Sequence, residues 1–403
     1  MSRQGADDPP QIRTLLVVPW DAERGGVVSV AENLTRYLQA RGHHVMFFHP
    51  GTTLFLRRRP TKLGFDGAKL RLVLPYGERH RLLRAVAFPL LFALALVQLM
   101  WFLRRHRIQI INLHYVEDGY FYFGICRRLL PVRLVTSIHG RDAFYREKPR
   151  VSYSRAFRFL IDSSDLIVLP SSSYLKKLLQ AFPDIQNKVL SIHNGINPVQ
   201  FGPVDEAQRE RAAIQRYILC VAELRDYKGI DILLHAVKPV LASDDTLRMV
   251  LAGDGPLRRE LEELAASLGI DHRTQFLGTK GAAEIAALMR GCELLVLPSR
   301  EEPFGIVLIE AMACRTPVVA SDVGGIPEIV EHERSGILVE PENPRALTEG
   351  IRRLLADRNL RITIAENGYR RVMERFCFFH TGAAYESALA SVLGIHLPES
   401  IAA

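Results

Sequence analysis

The chain has 403 residues, of which 48% are hydrophobic and 24% charged, a composition that excludes a disordered or fibrous protein. That length exceeds what one hydrophobic core usually supports, so two domains are expected. A formal charge of +8 hides an asymmetry, since residues 1–195 hold 29 Lys and Arg against 14 Asp and Glu while the remainder holds 23 against 30.

Residues 1–12 are polar, with neither a signal peptide's apolar stretch nor an anchor's, and are expected to be disordered. Thr14 to Pro19 reads as a strand, Gly25-Gly26 follows, and Val28 to Leu38 has helical periodicity. His44 to Phe48 is the next strand. Basic clusters then stand at Arg57-Arg58-Arg59, from Arg79 to Arg84, and at Arg104-Arg105-His106-Arg107.

The last two clusters bracket Val86 to Leu103, eighteen mostly apolar residues interrupted by Pro89 and Gln98. That is the lower limit for crossing a bilayer. Ile108 to Leu113 reads as the next strand of the same sheet, so a crossing would tear the domain apart. A helix over 82–105 lying in the plane of an anionic membrane, Trp101 near one end, fits the basic flanks. A buried core helix is the alternative. The greasy segment favours a membrane surface over nucleic acid as the partner of the basic half.

Strands follow at Arg133 to Ile138 and Leu166 to Leu169, with helices between, the alternation of a parallel doubly wound sheet. Leu190 to Asn197, Pro198 and Gly202-Pro203 read as an interdomain link, closing a first domain at 13–198. The pattern restarts in 199–375. Strands are expected at Tyr217 to Ala222, Leu247 to Ala252, Gln275 to Leu277, Leu294 to Leu297, Pro317 to Ala320 and Gly336 to Val339. Helices are expected at Asp231 to Leu241 and Leu257 to Leu268. A closing helical segment runs from Asn359 to Leu393, and 376–403 is expected to cross back onto the first domain. The five cysteines show no C-x-x-C pair and sit mostly in apolar runs, as in a reduced cytosolic protein.

Chemistry-bearing residues gather at the strand ends of the second domain. Lys228-Gly229, just before a helix, is placed to neutralise a diphosphate. Gly253-Asp254-Gly255-Pro256 is a tight turn, but not the G-x-G-x-x-G of a dinucleotide site. Phe276-Leu277-Gly278-Thr279 offers backbone to frame a flat base. Pro298 to Ala313 holds Glu302 and Glu310 around a turn opening a helix, whose first N–H groups suit phosphate. Acids there repel phosphate, so sugar hydroxyls are their natural partners, unless they merely complement the helix dipole or face solvent. Were the intervening residues helical, the two acids would lie about 12 Å apart, too far to flank one glycosidic bond.

In this order, E-x7-E, K-G-x-D, G-D-G-P and G-G-x-P-E-x-V resemble the retaining nucleotide-sugar glycosyltransferases of family 4 between Tyr217 and Ala346. The resemblance continues more weakly through Gly25-Gly26, His139-Gly140-Arg141-Asp142 and His193-Asn194-Gly195-Ile196-Asn197. It implies a GT-B fold, two Rossmann-like doubly wound domains facing each other across a cleft. It further implies that Glu310 binds the donor ribose, Glu302 contacts the transferred sugar, and Phe304, Gly305 and Ile306 offer backbone amides to sugar and phosphate. Lys228 would stabilise the departing diphosphate, Gly25-Gly26 would face the same phosphates, and Gly253, Leu277 and Gly278 would belong to the donor site. His139 would lie near donor sugar and acceptor, or be a locally bonded strand-end histidine. No Asp-x-Asp occurs, so neither a metal nor another cofactor is expected. Where many members have Gly-Arg-Leu ahead of the lysine, this chain has Ala222-Glu223-Leu224, and Arg225 is a candidate substitute for the missing arginine.

The expected function is transfer of a sugar, from UDP rather than GDP, to a lipid or lipid-linked saccharide in cell-surface glycan or polysaccharide synthesis. The enzyme would sit on the cytoplasmic face of the membrane. A soluble transferase or sugar-nucleotide epimerase with a small acceptor is the alternative. A non-catalytic nucleotide-sugar or nucleic-acid binder is a third reading, which intact Glu302, Glu310 and Lys228 oppose.

Overall fold

A computed structural model describes residues 11–19, 26–51, 53–58, 60–61, 64–72, 81–140, 154–203 and 216–396. The chain forms two compact units. The first takes the N-terminal part to Pro170, Leu175–Ile192 and the chain from Thr381; the second takes Ser171–Tyr174 and His193–His380.

The first unit is built on eight strands: β1 (Arg13–Val17), β2 (His44–Pro50), β3 (Arg57–Arg58), β4 (Gly67–Leu70), β5 (Ile110–His114), β6 (Arg133–Ser137), β7 (Leu166–Leu169) and β8 (Val189–Ser191). Their order is β3-β4-β2-β1-β5-β6-β7-β8, parallel throughout except for the β3–β4 pair. Strands covered on both faces need apolar residues at successive positions, and Leu15, Leu16 and Val17 are accordingly fully buried. Because β1 lies between β2 and β5, the winding reverses there, and the carboxyl ends of β1 and β5 border a crevice of the kind that binds ligands. Of the stretch expected to be disordered, residues 1–10 lie outside the described residues, and Ile12 is fully buried in one core with Leu16 and Ile110.

The apolar segment forms the helix Arg81–Arg105. Ala95, Leu99, Phe102 and Leu103 are buried, whereas Leu90, Ala93, Val97 and Trp101 form an exposed stripe at helical spacing. It is therefore half core helix and half surface helix. Gln98, an apparent interruption in the sequence, accepts from Leu56 N at 2.8 Å and donates to Leu54 O at 3.0 Å. Those bonds hold the exposed Leu54 and Phe55 beside the helix, next to exposed Arg57 and Arg58.

The second unit has six parallel strands, β9 (Tyr217–Val221), β10 (Arg248–Ala252), β11 (Thr274–Phe276), β12 (Leu294–Leu297), β13 (Val318–Ser321) and β14 (Ile337–Val339), in the order β11-β10-β9-β12-β13-β14. Here β9 lies between β10 and β12, so a second switch point falls between the loops after β9 and β12.

Two expectations about the chain's path need correction. The unit changes at Ile192–His193 rather than at 198, because Pro198–Phe201 forms a short helix whose Phe201 is buried in the second core. The closing segment is two helices, Arg358–Arg375 and Phe378–Leu393, broken where Phe378 N donates to Ile196 O. The second crosses into the first unit from Thr381, where Tyr385 and Leu389 pack with Leu16, Ile110 and Val135.

Candidate active site

In the second unit, β12 runs into the loop Pro298–Gly305 and the helix Ile306–Ala313. The helix opens at Ile306, after the expected turn, so Glu302 precedes it and the all-helical spacing of the two glutamates does not apply. Glu302 is 6% exposed. Its carboxylate accepts from Lys228 Nζ at 2.6 Å and from Ser299 Oγ at 3.2 Å. Gly324 follows β13 with φ +56°, and a Cβ there would stand 1.9 Å from Glu302 O, so this glycine lets the neighbouring loop clasp the acid's backbone. Gly325 N completes the clasp by donating to the same carbonyl at 3.0 Å.

Lys228 reaches Glu302 from the loop after β9. Gly229 opens the next helix in the left-handed region, φ +63°, where a Cβ would meet Pro298 O at 2.2 Å. Its small size therefore serves the packing of one loop on the other. Arg300, which sequence reasoning missed, joins the same two loops. Its guanidinium donates to both Asp231 oxygens at 2.8 and 2.6 Å, to Asp226 O at 2.6 Å and to Glu342 at 3.0 Å. Burial alone would raise the Asp231 carboxyl, but the Arg300 fork holds it below its ordinary value. The Asp of K-G-x-D is thus a brace for the lysine loop. Arg225, the candidate substitute, is turned to Glu223 with Nε–Oε1 at 2.5 Å, and Tyr227 OH donates to the other Glu223 oxygen at 3.1 Å.

Gly253 and Gly278 are brought together by Gly253 N donating to Gly278 O at 2.9 Å, and Leu277 packs half-buried against the core. Phe304 is buried, stacked on His193 with ring centroids 5.5 Å apart. Ile306 and Val307 open the helix, where N–H groups have no carbonyl one turn back. Glu310, one turn further, keeps some exposed surface, yet sits deep enough that desolvation pushes its carboxyl up to about 8. Glu328, the acid of G-G-x-P-E-x-V, accepts from the backbone of Ser172 and Ser173 at 3.1 and 3.0 Å and pairs with His193 Nε2 at 2.8 Å. Ser171 Oγ donates to Pro303 O at 2.7 Å.

His139 and Gly26 belong to the first unit. Gly26 starts the helix Gly26–Ala40 after β1; Gly25, Arg141 and Asp142 lie outside the described residues. His139 follows β6, and its Nε2 lies 3.1 Å from Nδ1 of His114 at the end of β5. Burial pushes the His139 imidazole down to about 4 and His114 well below its ordinary value. Among the described residues, no group of three or more His, Cys, Asp or Glu is placed to hold a metal ion.

Residues 24–200 match the model of Glycosyltransferase Family 4 and residues 203–371 that of Glycosyl transferases group 1. An uncharacterised glycosyltransferase of Methanocaldococcus jannaschii is 30% identical over 371 residues, spanning 87% of this chain and 90% of that one. The chain is a family 4 glycosyltransferase. The N-acetyl-alpha-D-glucosaminyl L-malate synthase of Bacillus anthracis is 25% identical over 378 residues, 92% of this chain and 94% of the relative. HepE of Anabaena, solved with UDP and glucose, superposes with a TM-score of 0.76 at 20% identity, covering 94% of this chain and all of that one. That likeness shows the GT-B fold, and with it the expected fold class of this glycosyltransferase is established.

Proposed function

We propose that this glycosyltransferase moves a sugar from a nucleoside diphosphate sugar, UDP rather than GDP, with retention and without metal, onto a lipid or lipid-linked saccharide at the cytoplasmic membrane face, in cell-surface glycan or polysaccharide synthesis. The observation that carries the donor side is the Lys228–Glu302 contact beside the start of the helix Ile306–Ala313. A diphosphate leaving group gains negative charge as the sugar departs, and a lysine with helix-start amides stabilises that charge directly. Glu302 then turns to sugar hydroxyls and Glu310 to the ribose, with His139 beside the transferred sugar. Melting the protein against a panel of UDP and GDP sugars tests the donor side. A nucleotide sugar at a hundred times its dissociation constant should stabilise by about 2.7 kcal/mol, and a panel without any shift would sink the reading.

The acceptor side rests on the exposed stripe of Leu90, Val97 and Trp101, flanked by Leu54 and Phe55 and by the exposed Arg57, Arg58, Arg104 and Arg105. Apolar side chains beside basic ones suit shallow insertion among anionic lipids. Sedimentation with phosphatidylglycerol vesicles tests it, with Val97→Ser and Trp101→Ser together expected to weaken binding by more than about tenfold. Unaltered partitioning would instead favour a small soluble acceptor, the reading to which the L-malate synthase of Bacillus anthracis points by name.

A further inference from the structure

Glycosyl transfer as proposed leaves His114 without a task, although this histidine is fully buried. It stands opposite Ser137 in the β5–β6 register, at the carboxyl end of the strand beside the switch point. Its ring stacks on His139 with centroids 5.3 Å apart and planes 29° from parallel. Behind it, Tyr385 of the closing helix stacks at 6.1 Å and 28°. Tyr385 is itself pinned, its hydroxyl donating to Ser137 Oγ at 3.1 Å and Ser137 Oγ donating to Asn112 Oδ1 at 3.0 Å. The closing helix thus fixes His114, and His114 touches His139.

Burial keeps both imidazoles neutral, so a single proton lies between His114 Nδ1 and His139 Nε2. Two arrangements are open. If His139 donates from Nε2, then His114 carries its own proton on Nε2. That atom is buried with no hydrogen-bond partner among the described residues, and an orphaned buried N–H is a rare and costly group. If His114 donates from Nδ1, the orphan is a bare ring nitrogen and His139 holds its proton on Nδ1. The second arrangement puts no proton on the orphaned His114 Nε2.

We propose that His114 is a positioning residue, donating from Nδ1 to His139 Nε2 and thereby fixing His139 as the neutral tautomer protonated on Nδ1. The proposal rests on the reading of His139 as a neighbour of the transferred sugar. Held this way, His139 orients a hydroxyl by hydrogen bonding and cannot act as a base through Nε2, which is already occupied.

Long-range proton–nitrogen NMR correlation on the full chain, with His139 assigned by comparison with His139→Ala, reads the tautomer directly. The expected spectrum shows a neutral His139 with Nδ1 protonated and Nε2 bare. His114→Phe keeps a stacked ring but no donor; it should turn His139 into a mixture of tautomers. With the nucleotide sugar selected by the melting panel, His114→Phe should lower kcat by at least about tenfold with donor KM changed less than about twofold. His114→Asn, whose amide nitrogen overlies the Nδ1 position and can donate, should recover most of that loss. A wild-type His139 protonated on Nε2 overturns the proposal without any variant having to fold, and so does a well-folded His114→Phe with wild-type turnover. The underlying reading is judged apart from this. If His139→Ala turns over normally while the spectrum shows the assigned tautomer, the placement of His139 beside the sugar falls and the imidazole pairing stands.

Discussion

Lys228 sets its ammonium 2.6 Å from Glu302 Oε2, so the cation assigned to the diphosphate and the acid assigned to the sugar hold each other. Both are largely buried, with side-chain exposures of 16% and 8%. Removing one partner strands a charge in a site built for two, a loss of about 3–5 kcal/mol. Lys228→Ala and Glu302→Ala should each lower the melting temperature and reduce turnover by about 10²- to 10³-fold. The double variant Lys228→Met/Glu302→Leu should recover the melting temperature and none of the turnover. Single variants that melt like the wild type would remove the structural half of this account.

Glu310 makes stability depend on pH in a defined direction. Its folded pKa of about 8 stands above its ordinary value of 4.5, so between those values the folded protein keeps a proton that the unfolded chain has lost. The neutral carboxyl's advantage is complete below 4.5 and drains away as pH rises to about 8. Glu310→Gln is neutral throughout, so it should gain on the wild type steadily across that window. Melting both proteins from pH 5 to 9 gives the difference curve; a flat one refutes the assignment.

Arg300 braces the lysine loop through a planar fork. Arg300→Lys keeps the charge but cannot reach both Asp231 oxygens, Asp226 O and Glu342 together, so it should behave nearly as Arg300→Ala does. Either variant should lose about 1.5–3 kcal/mol and raise the donor KM more than it lowers kcat. Calorimetric melting with steady-state kinetics checks both halves. An Arg300→Lys variant equal to the wild type would show that geometry is irrelevant there.

Gly324→Ala should fail to fold or melt far below the wild type, since the added methyl would stand 1.9 Å from Glu302 O in a backbone conformation that disfavours any side chain. Gly269→Ala supplies the contrast. Its φ of +72° carries the same backbone penalty with nothing within 4 Å, so it should lose only about 1 kcal/mol.

Much of this architecture was legible because parallel strands covered on both faces write themselves as apolar runs, as in Leu294 to Leu297. Lys228, Gly229, Glu302 and Glu310 stood out through their order and spacing in the motifs that carry the family resemblance. Arg300 was not, since an arginine between Ser299 and Glu301 looks like solvated surface and its partner Asp231 lies 69 positions away. The pairing of Glu328 with His193, 135 positions apart, was hidden for the same reason. Gln98 read as a defect in an apolar helix, whereas it ties down a neighbouring segment. β3, two residues long, is too short for periodicity to register, and β4 (Gly67–Leu70) lacks the apolar run that marked the equally short β7 and β12. In each case the signal was a contact distant in sequence, and local pattern has no access to it.

The closing helix has a consequence for how the chain is made. Tyr385 and Leu389 fill the first unit's core beside Leu16 and Val135, and Glu386 accepts from Tyr37 and Arg41 and pairs with His43. During synthesis these partners emerge only after the second unit's stretch of chain, so until then the first unit's sheet waits with one apolar face uncovered. The second unit lies almost wholly within one stretch of chain and can close earlier. Birth order and completion order are reversed: the first unit closes only once translation has passed through the second.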